Sequence, residues 1–127
     1  MKKSIATQEA PAAIGPYSQA VETNDLVFVS GQLPIDPSTG SMVPGEIKEQ
    51  TEQVFKNIKA ILAEAGLTMD HIVKTTVFLA DMSLFNEMNA VYATQFTGTF
   101  PARSAVAVKA IPKQALVEIE VIAAKHL

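Results

Sequence analysis

The order of hydrophobic periods along the chain is the feature that most constrains its fold. Apolar residues recur at helical spacing over 46–66 and again over 84–96. β-Branched and aromatic residues dominate the segments before, between and after these two stretches. Strands therefore come first, last and between the helices. One mixed sheet with both helices packed on one face is the simplest way to bury their apolar sides.

The strands and connections can be placed more closely. We predict two short strands at 21 and 26–29, a Pro- and Gly-rich loop over 31–45 with room for a short strand, a central strand over 71–80, and closing strands over about 103–109 and 116–124. The first helix is expected to end at Gly66 in the left-handed conformation. Asp81 or Ser83 is expected to cap the second helix.

The sheet predicted in this way has one face without helices. Strand parity alone does not decide which residues point to that face. It would be too hydrophobic for water if it carried the most apolar set, which is Val27, Val29, Val106, Val108, Ile119 and Val121. Charged residues are also scarce, at 18% of the chain. Both observations indicate self-association.

Composition excludes several classes of function. The chain is one domain, 1–127, with a net charge of −3 and no cluster of Lys and Arg, which argues against a nucleic-acid partner. There is no cysteine, so disulfides and thiolate nucleophiles are excluded. His71 and His126 lack the spacing of metal ligands, and we expect no metal site. Neither a signal peptide nor a membrane span is visible, so we expect a soluble cytoplasmic protein.

Arg103 is a guanidinium in a strand otherwise made of Ala, Val and Ser, directly after a turn that contains Pro101. Burying such a charge without a partner is costly, so an anion is expected beside it. Residue type alone favours a structural ion pair with Glu118 or Glu120 of the last strand. The alternative is the carboxylate of a ligand, which the planar guanidinium binds through two hydrogen bonds.

Glu118 and Glu120 alternate with apolar residues and therefore share one face of the last strand. Their mutual repulsion, together with burial, can raise one pKa toward a value useful for proton transfer, although a solvated edge is the simpler interpretation. A hairpin between the closing strands would place Glu118 opposite Ala107. Arg103 would then lie about four positions away, on the order of 13 Å, and the two would meet most easily across a subunit boundary.

Two weaker candidates lie in the N-terminal third. Tyr17 follows Gly15-Pro16 in a kinked approach to the first strand, where it can offer its hydroxyl to a pocket or simply pack its ring. Ser30-Gly31 ends a strand with a glycine, which either allows a ligand to approach the backbone or makes a plain turn.

Six segments of the chain carry a family resemblance: APAAIGPYSQAV, SGQLPIDPSTG, IVKTTVFLADM, NAVYATQF, FPARSAVAV and ALVEIEVIA. Together they resemble the reactive intermediate deaminase family, also known as the RidA or YjgF family, from about residue 5 to residue 124. The resemblance implies a chorismate-mutase-like α+β fold, assembled as a homotrimer with a barrel-like centre and active sites between subunits. It also implies hydrolysis of 2-imino acids, such as 2-iminobutanoate and 2-iminopropanoate, to 2-oxo acids and ammonia, without metal or organic cofactor.

The same resemblance assigns roles to individual residues. Arg103 matches the arginine that pairs with the substrate carboxylate, and Glu118 matches the carboxylate that positions the attacking water. The remaining matches line the pocket, and they are Tyr17, Ser30, Gly31, Asn89 and Ala105. Ala105 is a departure, because the family commonly has Cys there, and only a backbone contact is expected from it.

Other functions are also attributed to members of this family. They are described as regulators, including of purine synthesis, as holdase-like chaperones, and as ribonucleases that inhibit translation. A small-molecule sensor is the strongest rival to an enzyme, because Arg103 would bind a carboxylate in either case. Turnover of a 2-imino acid distinguishes the two.

Overall fold

Two helices cover one face of a six-stranded sheet in the computed structural model, which describes residues 1–127. In chain order the elements are β1 (Lys2–Ile5), β2 (Ala20–Thr23), β3 (Leu26–Gln32), β4 (Ile35–Asp36), β5 (Ser41–Met42), α1 (Ile47–Glu64), β6 (Ile72–Leu79), α2 (Phe85–Thr94), β7 (Ala102–Ala107) and β8 (Val117–Ala124). Short 3₁₀ turns precede β6, α2 and β8. The predicted α+β class is confirmed.

The large sheet runs in the order β1-β2-β3-β8-β6-β7, and β4 pairs with β5 in a separate ribbon. Neighbouring strands of the large sheet are antiparallel except β6 and β7, which are parallel and joined through α2. A parallel pair needs a crossover of this kind, because its strands start at the same edge. The prediction of a mixed sheet with both helices on one face is therefore confirmed.

The predicted hairpin between the two closing strands is wrong. β6 separates β7 from β8, so Glu118 pairs with Phe78 of β6 instead of lying opposite Ala107. The α2 crossover puts β7 at the edge of the sheet, and the chain then passes β6 to insert β8 beside β3. In that central position the alternate residues of β8 become almost completely buried, at 2% exposure or less; they are Val117, Ile119, Val121 and Ala123.

Both helices begin and end close to their predicted bounds. The backbone N–H of Glu46 donates to Oε1 of Glu49 at 2.9 Å at the start of α1, and Gly66 follows its last turn with φ of 78°. The Asp81 carboxylate accepts from the backbone N–H of Ser83 at 2.8 Å, so Asp81 caps the 3₁₀ turn that leads into α2. Helix α2 itself begins after Leu84 without a side-chain cap, so neither Asp81 nor Ser83 caps it directly. No helix is long and apolar enough to cross a membrane.

The open face of the sheet is less hydrophobic than the sequence allowed. Four of the six residues in question point to the helix-covered core, with exposures of 3% or less: Val27, Val29, Ile119 and Val121. Val108 is half-buried beyond the end of β7. Val106 does lie on the open face, at 46% exposure, together with Phe28 at 42%. This face therefore still presents large apolar side chains to its surroundings.

Candidate functional site

The Arg103 side chain lies between β7 and helix α2. Its backbone pairs with Thr75 of β6, and its guanidinium carbon lies 4.6 Å from the ring centroid of Tyr92 and 5.4 Å from that of Phe85. Nη1 donates a hydrogen bond of 2.6 Å to Oδ1 of Asn89. The helical spacing of Phe85, Asn89 and Tyr92 puts all three on the side of α2 that meets the guanidinium.

No carboxylate of the chain neutralises Arg103. The two ion pairs of the protein join Lys125 to Glu22 and His126 to Asp25. The structural ion pair that residue type favoured for Arg103 is therefore not formed within the chain. Asn89 is a neutral acceptor, and a guanidinium has five N–H donors, so most of its hydrogen-bonding capacity and all of its charge remain available.

A cavity opens beside this guanidinium. Its volume is about 530 Å³, and its walls are Asn89, Tyr92, Ala93, Phe100, Pro101 and Arg103. The rings and the proline make much of the wall apolar, and Arg103 contributes the single charge. An uncompensated guanidinium at an apolar wall attracts an anion and forms two parallel hydrogen bonds with a carboxylate.

Glu118 lies on the other side of the sheet. Its strand neighbours Val117 and Ile119 are completely buried in the core, and side chains of a strand alternate between faces. Glu118 therefore points to the open face, whereas Arg103, beside the buried Thr75, points to the helix face. Within one chain the two charged groups cannot meet.

The Glu118 carboxylate is half-buried and accepts no hydrogen bond from the chain. Burial raises its pKa above the ordinary value of 4.5, and the negative charge of Glu120 raises that pKa further. A carboxylate in this condition holds a proton more readily than an exposed glutamate does, which suits proton transfer.

Gly31 provides the space that Glu118 occupies. A Cβ atom on Gly31 would overlap Oε2 of Glu118, so any side chain there would displace the carboxylate. The strand is irregular at this point, because Val29 pairs with Val121 and Gln32 with Ile119, which leaves an extra residue in β3. Such a bulge re-aims the backbone locally and is common beside functional sites.

Tyr17 and Ser30 belong to the same half of the site. Tyr17 is 53% exposed and lines, together with Gly31, a cavity of about 490 Å³ whose only charged wall residue is Lys113. Oγ of Ser30 donates a hydrogen bond of 2.6 Å to the carbonyl oxygen of Ser18. This bond connects the bulge to the segment that carries Tyr17. The Tyr17 ring is not packed into the core, so its hydroxyl is free to meet a ligand.

Buried polar side chains of α1 fix the backbone around this half. Nδ2 of Asn57 donates to the carbonyls of Leu33 and Ile35, at 3.1 and 2.9 Å. Oε1 of Gln50 accepts from the backbone N–H of Leu116 at 2.8 Å, just before β8 begins. Helix α1 thereby holds both the loop after Gly31 and the start of the strand that carries Glu118.

The predicted site residues thus fall into two groups. Arg103, Asn89 and Ala105 lie on the helix side, where Ala105 packs against the core. Glu118, Tyr17, Ser30 and Gly31 form the second group, around the open face and the bulge. Sequence reasoning missed Phe85, Tyr92 and Thr75. The helical spacing of Phe85 and Tyr92 around Asn89 was the available signal for two of them, and no local pattern singles out Thr75.

The chain is similar to known proteins over nearly its whole length. The family model described as Endoribonuclease L-PSP matches residues 7–125, which include every residue of the site. A 2-iminobutanoate/2-iminopropanoate deaminase of Mus musculus is 50% identical over 123 residues, or 97% of this chain and 91% of that protein. A relative from Lactococcus lactis named for a regulatory role, AldR, is 53% identical over 121 residues, or 95% and 96% of the two chains. The crystal structure of E. coli TdcF with bound serine has a TM-score of 0.92 at 44% identity, covering 96% of this chain and 98% of that one.

Proposed function

Since the chain belongs to the Endoribonuclease L-PSP family, which is the YjgF/RidA family, we propose that it is a deaminase that hydrolyses 2-imino acids to 2-oxo acids and ammonia. The mouse relative carries this activity in its name, and 2-iminobutanoate and 2-iminopropanoate are the proposed substrates. The protein then acts as a hydrolase on a C–N bond.

The observation that carries the proposal is the state of the Arg103 guanidinium. It has a neutral amide as its partner in the chain, no carboxylate, and a cavity in front of it. A 2-imino acid offers this group an α-carboxylate. Serine, which is bound in the E. coli relative, carries the same carboxylate on a molecule of similar size.

We propose further that the active site forms between subunits of a homotrimer. Arg103 and Glu118 point to opposite faces of one sheet, so a shared site needs Arg103 of one chain beside Glu118 of the next. The apolar side chains of the open face, including Phe28 and Val106, favour the packing of sheet against sheet around a common centre.

In this arrangement hydrolysis proceeds by acid–base chemistry without a covalent enzyme intermediate. Arg103 holds the substrate carboxylate, which keeps the imine carbon in one position. Glu118 of the partner subunit orients a water molecule and accepts a proton from it, while the water oxygen bonds to the imine carbon and the C=N π electrons move to nitrogen. Tyr17 of the partner subunit hydrogen-bonds the nitrogen. Glu118 of the partner subunit then passes this proton to the nitrogen, which gives a tetrahedral amino alcohol. The C–N bond breaks as the hydroxyl oxygen forms the C=O bond, and the hydroxyl proton is transferred to the departing nitrogen, which leaves as ammonia.

The proposal is tested by coupling the protein to an amino-acid oxidase, which produces a 2-imino acid in place, and following release of the 2-oxo acid. We expect Arg103→Ala to lower the rate at low substrate by about 30- to 150-fold, since it removes a charge-assisted pair of hydrogen bonds. Lys59→Ala is the matched control, because Lys59 is an exposed cation on α1 away from the site. Equal rates in Arg103→Ala and Lys59→Ala would show that Arg103 does not bind the substrate carboxylate.

A regulatory protein that binds the same class of ligand is the second candidate. The relative from Lactococcus lactis, at 53% identity, is the observation that favours it. A sensor would bind a 2-oxo acid through Arg103 but leave the loss of the imine at its spontaneous rate. The coupled assay and a binding titration on the same sample therefore separate the two candidates.

A further inference from the structure

We propose that Tyr92 and Thr75 are positioning residues for the Arg103 guanidinium, and that they determine how tightly the site binds a carboxylate. The inference rests on the proposed function and extends it to two residues that act through Arg103, one of which, Tyr92, also forms part of the cavity wall. It is drawn from a closed ring of contacts. Thr75 hydrogen-bonds Tyr92, the Tyr92 ring lies against Arg103, and Arg103 pairs with Thr75 across the parallel strands.

The Tyr92 ring is the surface on which the guanidinium rests. At 4.6 Å from the ring centroid, the guanidinium carbon is well inside the range in which the negative face of an aromatic ring attracts a cation. Tyr92 is 4% exposed, so water competes little for this contact. Because this surface carries no charge, it orients the guanidinium without occupying the donors that a carboxylate needs.

The ring itself is held from three sides. The Phe55 and Phe96 rings contact it, with centroids at 5.6 and 5.1 Å. The Tyr92 hydroxyl and Oγ1 of Thr75 are 2.8 Å apart in a hydrogen bond, and Thr75 is completely buried. A β-branched side chain has few rotamers, so Thr75 fixes the hydroxyl firmly. These contacts oppose rotation of the ring and any tilt away from the guanidinium.

Asn89 completes the orientation. Its Oδ1 accepts from Nη1, which removes the remaining freedom of the guanidinium to turn over the ring. A carboxylate forms two parallel hydrogen bonds only when two N–H groups of the planar guanidinium point toward it. Loss of the ring or of its anchor would let the guanidinium tilt, and the second hydrogen bond would be lost first.

The test is calorimetric titration of 2-oxobutanoate, an unreactive carboxylate, into the wild type, four variants at Tyr92 and Thr75, and one control variant. Tyr92→Leu removes the ring, and we expect the Kd to rise about 5- to 30-fold. Tyr92→Phe and Thr75→Val each remove one side of the hydrogen bond and keep the ring, and we expect increases of about 2- to 10-fold. The double variant should be no weaker than either single one, because both substitutions remove the same bond.

Val27→Ala is the matched control. It shortens another completely buried side chain, in β3, which β8 and β6 separate from the strand of Arg103. It should lower the Tm while it leaves the Kd within about twofold of wild type, since large-to-small core changes act on stability. In turnover, the Tyr92 and Thr75 variants should raise KM and preserve kcat, because the carboxylate is held equally in ground state and transition state.

The outcomes are separable. A folded Tyr92→Leu protein with wild-type affinity, or a Val27→Ala protein weakened as much as Tyr92→Leu, would overturn the positioning role and leave the proposed function intact. Absence of 2-oxobutanoate binding by the wild type would overturn the proposed function and this inference with it. If Tyr92→Leu does not fold, the milder Tyr92→Phe and Thr75→Val variants decide by the same criterion.

Discussion

Arg103 and Glu118 lie on opposite faces of one sheet, with β6 between their strands. Arg103 is the only arginine of the chain, and Glu118 is half-buried. Because they lie on opposite faces, no rotation of their side chains can bring the two charged groups together. If they act on one substrate, they do so from different subunits. This relationship can be tested without a structure of the assembly.

We expect two inactive variants to restore activity when they are mixed. Arg103→Ala subunits still supply Glu118, and Glu118→Ala subunits still supply Arg103. In trimers refolded from an equal mixture, about a quarter of the interfaces combine the two intact residues, so the mixture should show about a quarter of wild-type activity. The measurement is the coupled 2-oxo acid assay before and after co-refolding.

The control for this experiment is a mixture assembled without refolding, in which subunits have not exchanged. It should remain as inactive as its components. Failure of the co-refolded mixture to recover any activity would contradict a site shared between chains.

We expect Gly31→Ala to lower kcat/KM by about 10- to 100-fold, because the new methyl group displaces the Glu118 carboxylate from its position. Gly98→Ala is a matched control, since nothing lies within 4 Å of a Cβ at Gly98 and its φ does not require glycine. Both proteins should have similar Tm values. A Gly31→Ala enzyme as active as Gly98→Ala would show that the position of Glu118 does not matter.

The pH dependence should report the pKa of Glu118. Burial and the charge of Glu120 raise that pKa above 4.5, so kcat/KM should fall on the acid side with a midpoint above this value. Glu120→Gln removes the repulsive part only, and the midpoint should move to lower pH while remaining above that of an exposed glutamate. An unchanged midpoint would mean that another group governs the acid limb.

The same shift predicts a change in stability. Because folding raises the pKa of Glu118, the folded state disfavours its carboxylate, and this penalty is present above the folded pKa and disappears as pH falls toward 4.5. Glu118→Gln should therefore have a higher Tm than wild type near pH 7. The difference should shrink steadily in unfolding curves recorded at lower pH, and a constant difference would contradict the linkage.

Chemical modification offers a test without mutagenesis. Phenylglyoxal reacts with guanidinium groups, and Arg103 is the only arginine in the chain. One adduct per chain should abolish turnover. 2-Oxobutanoate should slow the modification by phenylglyoxal, because its carboxylate occupies the N–H donors of the Arg103 guanidinium. Mass spectrometry counts the adducts, and Arg103→Lys should acquire none. Full activity in a completely modified sample would exclude Arg103 from the site.

Local structure was predictable wherever the apolar residues of a segment recur at a single spacing, either helical or alternating. Helix α1 and its end at Gly66, and the turn that joins β2 and β3, follow from spacing and from residues that favour a left-handed backbone. The position of β8 was not predictable in this way. Whether β7 pairs with β8 depends on long-range competition for β6, and the α2 crossover decides it.

The candidate site was predictable only as residue types. Matching motifs pointed to Arg103 and Glu118, but the face that each occupies depends on strand register, which no local pattern contains. The role of Tyr92 was hidden for a related reason. A buried aromatic residue on a helix packs a core in most proteins, and only the position of the neighbouring strand shows that one face of the Tyr92 ring meets a cation.

The division of the site between two faces has a thermodynamic consequence. In the proposed trimer a bound 2-oxo or 2-imino acid bridges two chains, with its carboxylate on Arg103 and its reacting carbon beside Glu118 of the partner subunit. Whatever binds only the assembled form stabilises it by mass action. The metabolite would then act as a reversible cross-link, and its concentration in the cell would set how long each trimer survives before its subunits exchange.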